Sequence, residues 1–504
     1  MSFTSAAFYG FFAVVCAAYY LVPALAQGAR RAAWACPAQN AVLLAACVWF
    51  AAAAGAATLC TAVGAALVCW AFGRWIDSAD GCARRALTAL GIALLVGLLA
   101  AVKYSGMLLQ TAAALWPAAA RLPALSQLIR VLGVSYYTLT AIAYLVEVGR
   151  RRQTALRSPL RLALVLLFFP AFLSGPIGRV AELSPQLDAP RRFSYDGFAN
   201  GLTQLLLGAF KKLVLADSLA LVVDPAFAAP QQFSGPVLAL AAVAFSLQLY
   251  YDFSGYTDMA RGAAAVLGIS LRLNFRRPFA ARSFSELWGR WHMSLSQWFR
   301  DYVYIPLGGS RRGTARMCLA TLAVFALSGL WHEAGWLFLV WGVLNGLFVL
   351  EEKLTRTPRA ALAARLPGYA GSAVQRLWQA VRVLAIFSLC FIVFRVGENS
   401  GAGLADCARY YSGLLRDWGV LLSPSRMVSQ LKLLSIGRKL LAYLGGSLLL
   451  NETLEFLAAR RGLPTADWVR SLPGGARMLL YYVLCLLVLF FGQLGTSSFI
   501  YFQF

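Results

Sequence analysis

Apolar runs longer than about 18 residues recur from one end of this chain to the other, separated by short polar stretches. That pattern predicts an all-α polytopic membrane protein. The first run, Phe3 to Ala26, reads as a retained span, because it lacks the basic leading region and cleavage site of a removed signal peptide. Gln39 to Gly73 is too long for one crossing at about 1.5 Å per residue and reads as a tight hairpin through Gly55. Ala86 to Ala120 reads as two short spans interrupted at Lys103 and Tyr104, and Val131 to Val148 as a further span. Leu160 to Ile177 contains Pro170, Gly175 and Pro176, helix breakers tolerated at membrane depth only where the backbone is buried in protein or lines a cavity.

Further along, Gly201 to Val223 places Lys211, Lys212 and Asp217 in an otherwise apolar helical pattern. It reads as an interfacial helix with snorkelling lysines rather than a ligand site. Pro236 to Tyr251 is a span, followed by Asp252 and Asp258 among tyrosines. A carboxylate at a membrane edge needs a partner, and Arg261 or Arg277 is the expected one. Ala380 to Val396 spans if Arg382 and Arg395 snorkel. Gly397 to Lys432 reads as a polar loop with weak helical character, Leu433 to Leu450 and Met478 to Gln493 as two last spans, and the terminal SSFIYFQF as an interfacial aromatic tail.

Composition supports this reading. The 504 residues are 60% hydrophobic and 13% charged, against about a quarter charged in soluble domains. No linker is long enough to separate a second domain, so residues 1–504 are expected to form one membrane domain. The net charge of +24 does not point to nucleic acid, because the basic residues cluster at the ends of apolar runs, as cytoplasmic loop charges do. Arg30-Arg31 then marks a cytoplasmic end and an external N-terminus. Strict alternation of sides conflicts with the cluster Arg150 to Arg152, which requires a re-entrant segment or a single tilted helix somewhere before it. A basic cytoplasmic face would attract a polyanion such as a CoA thioester. The ten cysteines, among them Cys16, Cys47, Cys60, Cys69, Cys390 and Cys485, read as small buried hydrophobes, with neither a disulfide framework nor a zinc site expected.

The chemistry is expected between Ser246 and Gly346, the stretch that holds both histidines of the chain, His292 and His332. On a helical wheel over Trp288 to Tyr302, His292 falls in one aromatic sector with Trp291, Leu295, Trp298, Phe299 and Tyr302, which predicts an amphipathic helix. His292 there reads equally as a core histidine satisfied by one hydrogen bond or as a functional group. His332 is more informative. The 34 residues between Arg316 and Glu351 carry His332 and Glu333 as their only ionisable polar side chains, cysteine aside. A straight helix of that length would be about 50 Å, so a break at Gly329 or Gly335 is expected. It leaves His332 deep in the domain, where a histidine and a carboxylate face an internal cavity or pair with another group; burial would keep His332 neutral, the form a general base needs.

At these residues the sequence resembles the membrane-bound O-acyltransferase family, in its alginate O-acetyltransferase branch. The resemblance rests on LGVSYYT, FFPAFLSGPIGR, GAFKKLVLAD, LQLYYDFSGYTDMARG, NFRRPF, LWGRWHMSLSQWFRDYVYIPLGG, LSGLWHEAGWLFLVWG and FIYFQF. It implies a ring of about 11–13 transmembrane and re-entrant helices around a central tunnel in a bacterial inner membrane. It also implies an enzyme passing acetyl groups from a cytoplasmic donor, acetyl-CoA, towards an extracytoplasmic polysaccharide such as alginate, cellulose or peptidoglycan. No permanently bound cofactor is implied; a separate periplasmic transferase of SGNH type is the implied partner. The family's intramembrane histidine maps onto His332 and its second histidine onto His292. Glu333 stands where the family often has glycine, and Asn345-Gly346 where it often has His-Gly.

The reading that follows makes His332 the base on an acceptor hydroxyl and has His292 hold the acceptor or stabilise the oxyanion. Asp258, Asn274, Trp291 and Trp331 are candidate substrate contacts, and Arg276, Arg277, Arg311 and Arg312 are candidate ligands for CoA phosphates. D-alanyl transfer to teichoic acid is the enzymatic alternative. A transporter or flippase is the non-enzymatic one, for which internal repeats would be expected.

Overall fold

A computed structural model describes residues 2–25, 29–117, 123–366, 368–399, 401–434 and 436–493. The aromatic tail expected at the interface lies outside them. Among the described residues, eight helices are long and apolar enough to cross a membrane, and the chain is a multi-pass membrane protein. It packs as two units, residues 1–207 with 256–272, and residues 208–255 with 273–504.

In the first unit, helix Ala6–Leu25 lies beside helix Ala29–Ala53, and the expected hairpin turns at Gly55 into helix Ala56–Ser78. Gly55 adopts φ 129°, a conformation that side chains other than hydrogen rarely reach. The two short spans expected over Ala86 to Ala120 are instead one helical path. Helix Gly81–Leu99 runs through a π-turn at Ala100–Tyr104 into helix Ser105–Leu115. The extra residue absorbed by an i→i+5 turn explains why periodicity broke at Lys103 without a reversal of direction. Around Pro170, Gly175 and Pro176 the backbone is broken and buried, as expected.

The second unit is organised around a buried ionic cluster. Helix Tyr195–Ala209 widens into a π-turn, Phe210–Ala216, that crosses helix Gly235–Val266. A Cβ on Gly255 would stand 2.7 Å from Gly208 O, so glycine permits the crossing. The lysines of this turn do not snorkel. Lys211 Nζ lies 2.7 Å from Glu455, and Lys212 Nζ lies 2.8 Å from Asp217 and 2.5 Å from Asp252. Carboxylates within reach leave no reason for the ammonium groups to seek water, which is why a pattern of lone lysines misled. Tyr250 donates to Glu455 and Tyr251 to Glu452, both on helix Arg438–Arg460. Arg277 pairs with Glu452, and Asp258 of the first unit with Arg261.

Helices Thr314–His332 and Trp336–Leu354 form an antiparallel hairpin. The break falls at 333–335, with Gly335 at the start of the second arm. Gly329 instead admits the facing helix, since a Cβ there would meet Phe338 O at 2.1 Å, and one on Gly342 would meet Phe325 O at 2.2 Å. Helix Ala373–Gly397 packs along the second arm. Its arginines are paired, Arg382 with Glu352, and Arg395 with Asp224 and Glu398. The expected loop after it contains helices Leu404–Leu414 and Pro424–Leu433. Cys47, Cys69 and Cys390 are buried, but Cys60 and Cys485 lie on exposed, apolar helix faces.

Candidate active site

The expected amphipathic helix over Trp288 to Tyr302 does not form. Helix Phe284–Trp288 ends at Gly289, the chain bends, and helix Met293–Phe299 begins after His292 and passes into a π-turn. His292 sits at the bend with φ 41° and ψ 52°. A non-glycine residue in that left-handed region is strained by roughly 1–3 kcal/mol and persists only where surroundings dictate it. They do so here: Met293 N donates to Asn274 O at 2.9 Å, and Ser294 N donates to Asn274 Oδ1 at 3.1 Å. The strain turns the imidazole inward, where it is 1% exposed. Burial lowers its pKa from the ordinary value, so the ring is neutral.

His332 is the last residue of the first hairpin arm, 4% exposed. Its ring centroid lies 6.3 Å from that of His292. Both rings stand in an aromatic cage: Trp331 is 5.7 Å from His292 and 5.0 Å from His332, and Trp341 and Phe394 are 5.2 Å and 5.8 Å from His332. The cage excludes water and leaves few competing hydrogen-bond partners.

A cavity of about 200 Å³ is lined by both histidines together with Trp288, Ser296, Thr321 and Lys353, among others. Three of its buried polar atoms lack a hydrogen-bond partner: His292 Nε2, Trp288 Nε1 and Thr321 Oγ1. Lys353 also lines a second, larger cavity of about 900 Å³. Its wall carries Arg282, Lys353, Arg356, Arg359 and Arg382 against one carboxylate, Glu352. Lys353 thus borders both the pocket of the two histidines and a cationic vestibule.

The structure scatters the expected site residues. Trp331 is in the cage. Trp291 is buried against Phe275 and Phe387, and helps to hold the bend. Asn274 lies behind His292, off the cavity wall. Arg276 and Arg311 are exposed away from both cavities, Arg277 stacks on Phe456 beside Glu452, and Asp258 lies in the other unit near Gln204. The vestibule arginines were not anticipated, although Arg356 and Arg359 share one helical face at i, i+3 spacing. Among the described residues, no cluster of three His, Cys, Asp or Glu side chains is placed to hold a metal ion.

The profile of the membrane-bound O-acyltransferase family matches residues 97–389. A protein from Pseudomonas putida named "Probable alginate O-acetylase" is 32% identical over 398 residues, 75% of this chain and 76% of that one. One of the same name from Pseudomonas fluorescens is 38% identical over 239 residues, 47% of this chain and 48% of its own. A peptidoglycan O-acetyltransferase from Helicobacter pylori is 34% identical over 284 residues, 51% of this chain and 53% of its own. The chain spans about half the length of these last two relatives.

Proposed function

The chain belongs to the membrane-bound O-acyltransferase family, and from that premise we propose that it passes acetyl groups from cytoplasmic acetyl-CoA across the inner membrane for O-acetylation of an extracytoplasmic polysaccharide. The observation that carries this reading is the pair of neighbouring cavities that share Lys353 as a lining residue: a cationic vestibule suited to nucleotide phosphates, and a pocket lined by two buried imidazoles. The vestibule includes Arg356, just beyond helix Trp336–Leu354, and Arg311 and Arg312, which line neither cavity, just precede helix Thr314–His332 at the same end of the hairpin, the cytoplasmic end by the distribution of charge. The relatives named for alginate and peptidoglycan acetylation support a polysaccharide as final acceptor, reached with a periplasmic transferase as partner.

In the reaction, an acceptor hydroxyl attacks the thioester carbonyl. His332 takes the hydroxyl proton, the C–S bond breaks, and the proton passes from His332 to the leaving sulfur, so that CoA departs as the thiol and His332 returns to its neutral form. His292 holds the acceptor or faces the oxyanion.

The test is purified protein in liposomes with acetyl-labelled acetyl-CoA, comparing wild type with His332→Ala and His292→Ala. Expected are CoA release by wild type and loss of it in His332→Ala at unchanged protein level. Label retained on wild-type protein would identify an acetyl-histidine relay. No thioester consumption by wild type, with acceptors and periplasmic partner supplied, would overturn the reading in favour of another donor, such as carrier-bound D-alanine.

A further inference from the structure

The cradle that holds His292 also decides which of its nitrogens carries the proton. Asn274 Oδ1 accepts the backbone N–H of Ser294 at 3.1 Å and the Ser294 hydroxyl at 2.9 Å. A backbone N–H only donates, so the atom facing it is the amide oxygen, and the amide orientation is settled without reference to the imidazole. The same oxygen lies 3.2 Å from His292 Nδ1. A carbonyl oxygen has no proton to give, so Nδ1 carries the hydrogen and donates it. In a neutral ring Nε2 is then the lone-pair nitrogen. That atom is buried without a partner, on a residue that lines the cavity shared with His332.

We propose that Asn274 is a positioning residue that fixes His292 as its Nδ1–H tautomer, so that Nε2 accepts a hydrogen bond from a hydroxyl of the acyl acceptor. Of the two roles open to His292, this selects holding the acceptor, because a neutral ring with its proton on Nδ1 has nothing to donate to an oxyanion at Nε2. Oxyanion stabilisation passes to a donor. On the same wall, Trp288 offers an indole N–H, buried and unpaired, which can only donate. The proposal rests on the acyltransfer reading only for what the hydroxyl belongs to; the tautomer itself does not depend on donor or acceptor.

The chain is well suited to a direct measurement, because it has two histidines. The full-length protein with 15N-ring-labelled histidine, in lipid nanodiscs at neutral pH, gives two imidazole patterns by solid-state NMR, and His332→Gln leaves that of His292 alone. Expected is a protonated Nδ1 and a bare Nε2; a proton on Nε2 would overturn the proposal. In Asn274→Leu, Nε2–H is expected to become populated and acetyl transfer to fall roughly tenfold or more, the cost of a lost hydrogen bond in a dry site. Asn274→Asp keeps an acceptor at the same place and is expected to restore the Nδ1–H pattern. Asn274→Leu with an unchanged tautomer and full turnover would remove Asn274 from the role. Should that variant not fold, the spectrum of the His332→Gln protein decides alone. A failed thioester assay together with a bare Nε2 would overturn the proposed function and leave the tautomer standing.

Discussion

His292 shows how one strained residue gathers several physical effects. Its left-handed backbone aims the ring inward, the Asn274 side chain and backbone hold that conformation, and burial keeps the ring uncharged. Burial pushes its pKa down to about 3, from 6.5 in an unfolded chain. Between those values the folded state binds fewer protons than the unfolded one, so stability drawn from this site falls as pH drops from about 6.5 towards 3. Thermal melting in detergent should therefore decline with acidity less steeply in His292→Gln than in wild type. Trp288→Phe, which keeps an aromatic side chain but removes the pyrrole ring with its N–H, should lower the catalytic rate on the order of 10-fold to 10³-fold with little change in donor KM. An unchanged rate would show that the indole does not face the reacting carbonyl. At this scale the sequence was only half informative. Spacing grouped His292 with Trp291, Trp298, Phe299 and Tyr302, whereas its ring stands against Phe253, Trp331 and His332; the bend that turns it there was not legible, because strain imposed by Asn274 leaves no periodic trace.

At the scale of elements, the hairpin that carries His332 depends on two glycines meeting backbone carbonyls. Gly342→Ala would press a methyl group to about 2.2 Å from Phe325 O. It should destabilise the protein by about 1–3 kcal/mol and lower activity by displacing His332, both readable by melting and turnover. The hairpin and its break were legible, since 34 residues without further charge exceed any straight span. Gly329 was mistaken for a possible break because sequence cannot separate a glycine that ends a helix from one that admits a neighbour. The π-turn at Phe210–Ala216 was illegible for a related reason. Lysines in an apolar run look like interfacial anchors until partners distant in the chain are known. Lys212→Met leaves Asp217 and Asp252 buried without their ammonium and should cost about 3–5 kcal/mol. If instead it folds with wild-type stability, the cluster contributes nothing net.

Over the whole molecule, membrane character followed from hydropathy, and the two histidines that sequence singled out line one cavity, whereas the vestibule came only from folding. Its cations lie on three separate helices and the loop near Arg282, and Arg356, Arg359 and Arg382 fall outside every motif on which the resemblance rests. Reversing charge at Arg356, which has no carboxylate partner among the described residues, should raise KM for a phosphate-bearing donor several-fold while sparing turnover at saturation. The effect should shrink at high salt. Equal KM values for the two proteins would place the donor elsewhere.

The ionic cluster also sets a schedule for biosynthesis. Lys211 and Glu455 are 244 residues apart in the chain. At about 5–20 residues per second, the ribosome delivers the carboxylate roughly 12–50 s after the lysine. Throughout that interval an ammonium group destined for burial stands in the membrane without this counter-charge. A chain cut short before helix Arg438–Arg460 lacks Glu452 and Glu455 together, and leaves Tyr250 and Tyr251 without their acceptors. Until the late helix is made, the nascent protein is electrostatically different from the finished one.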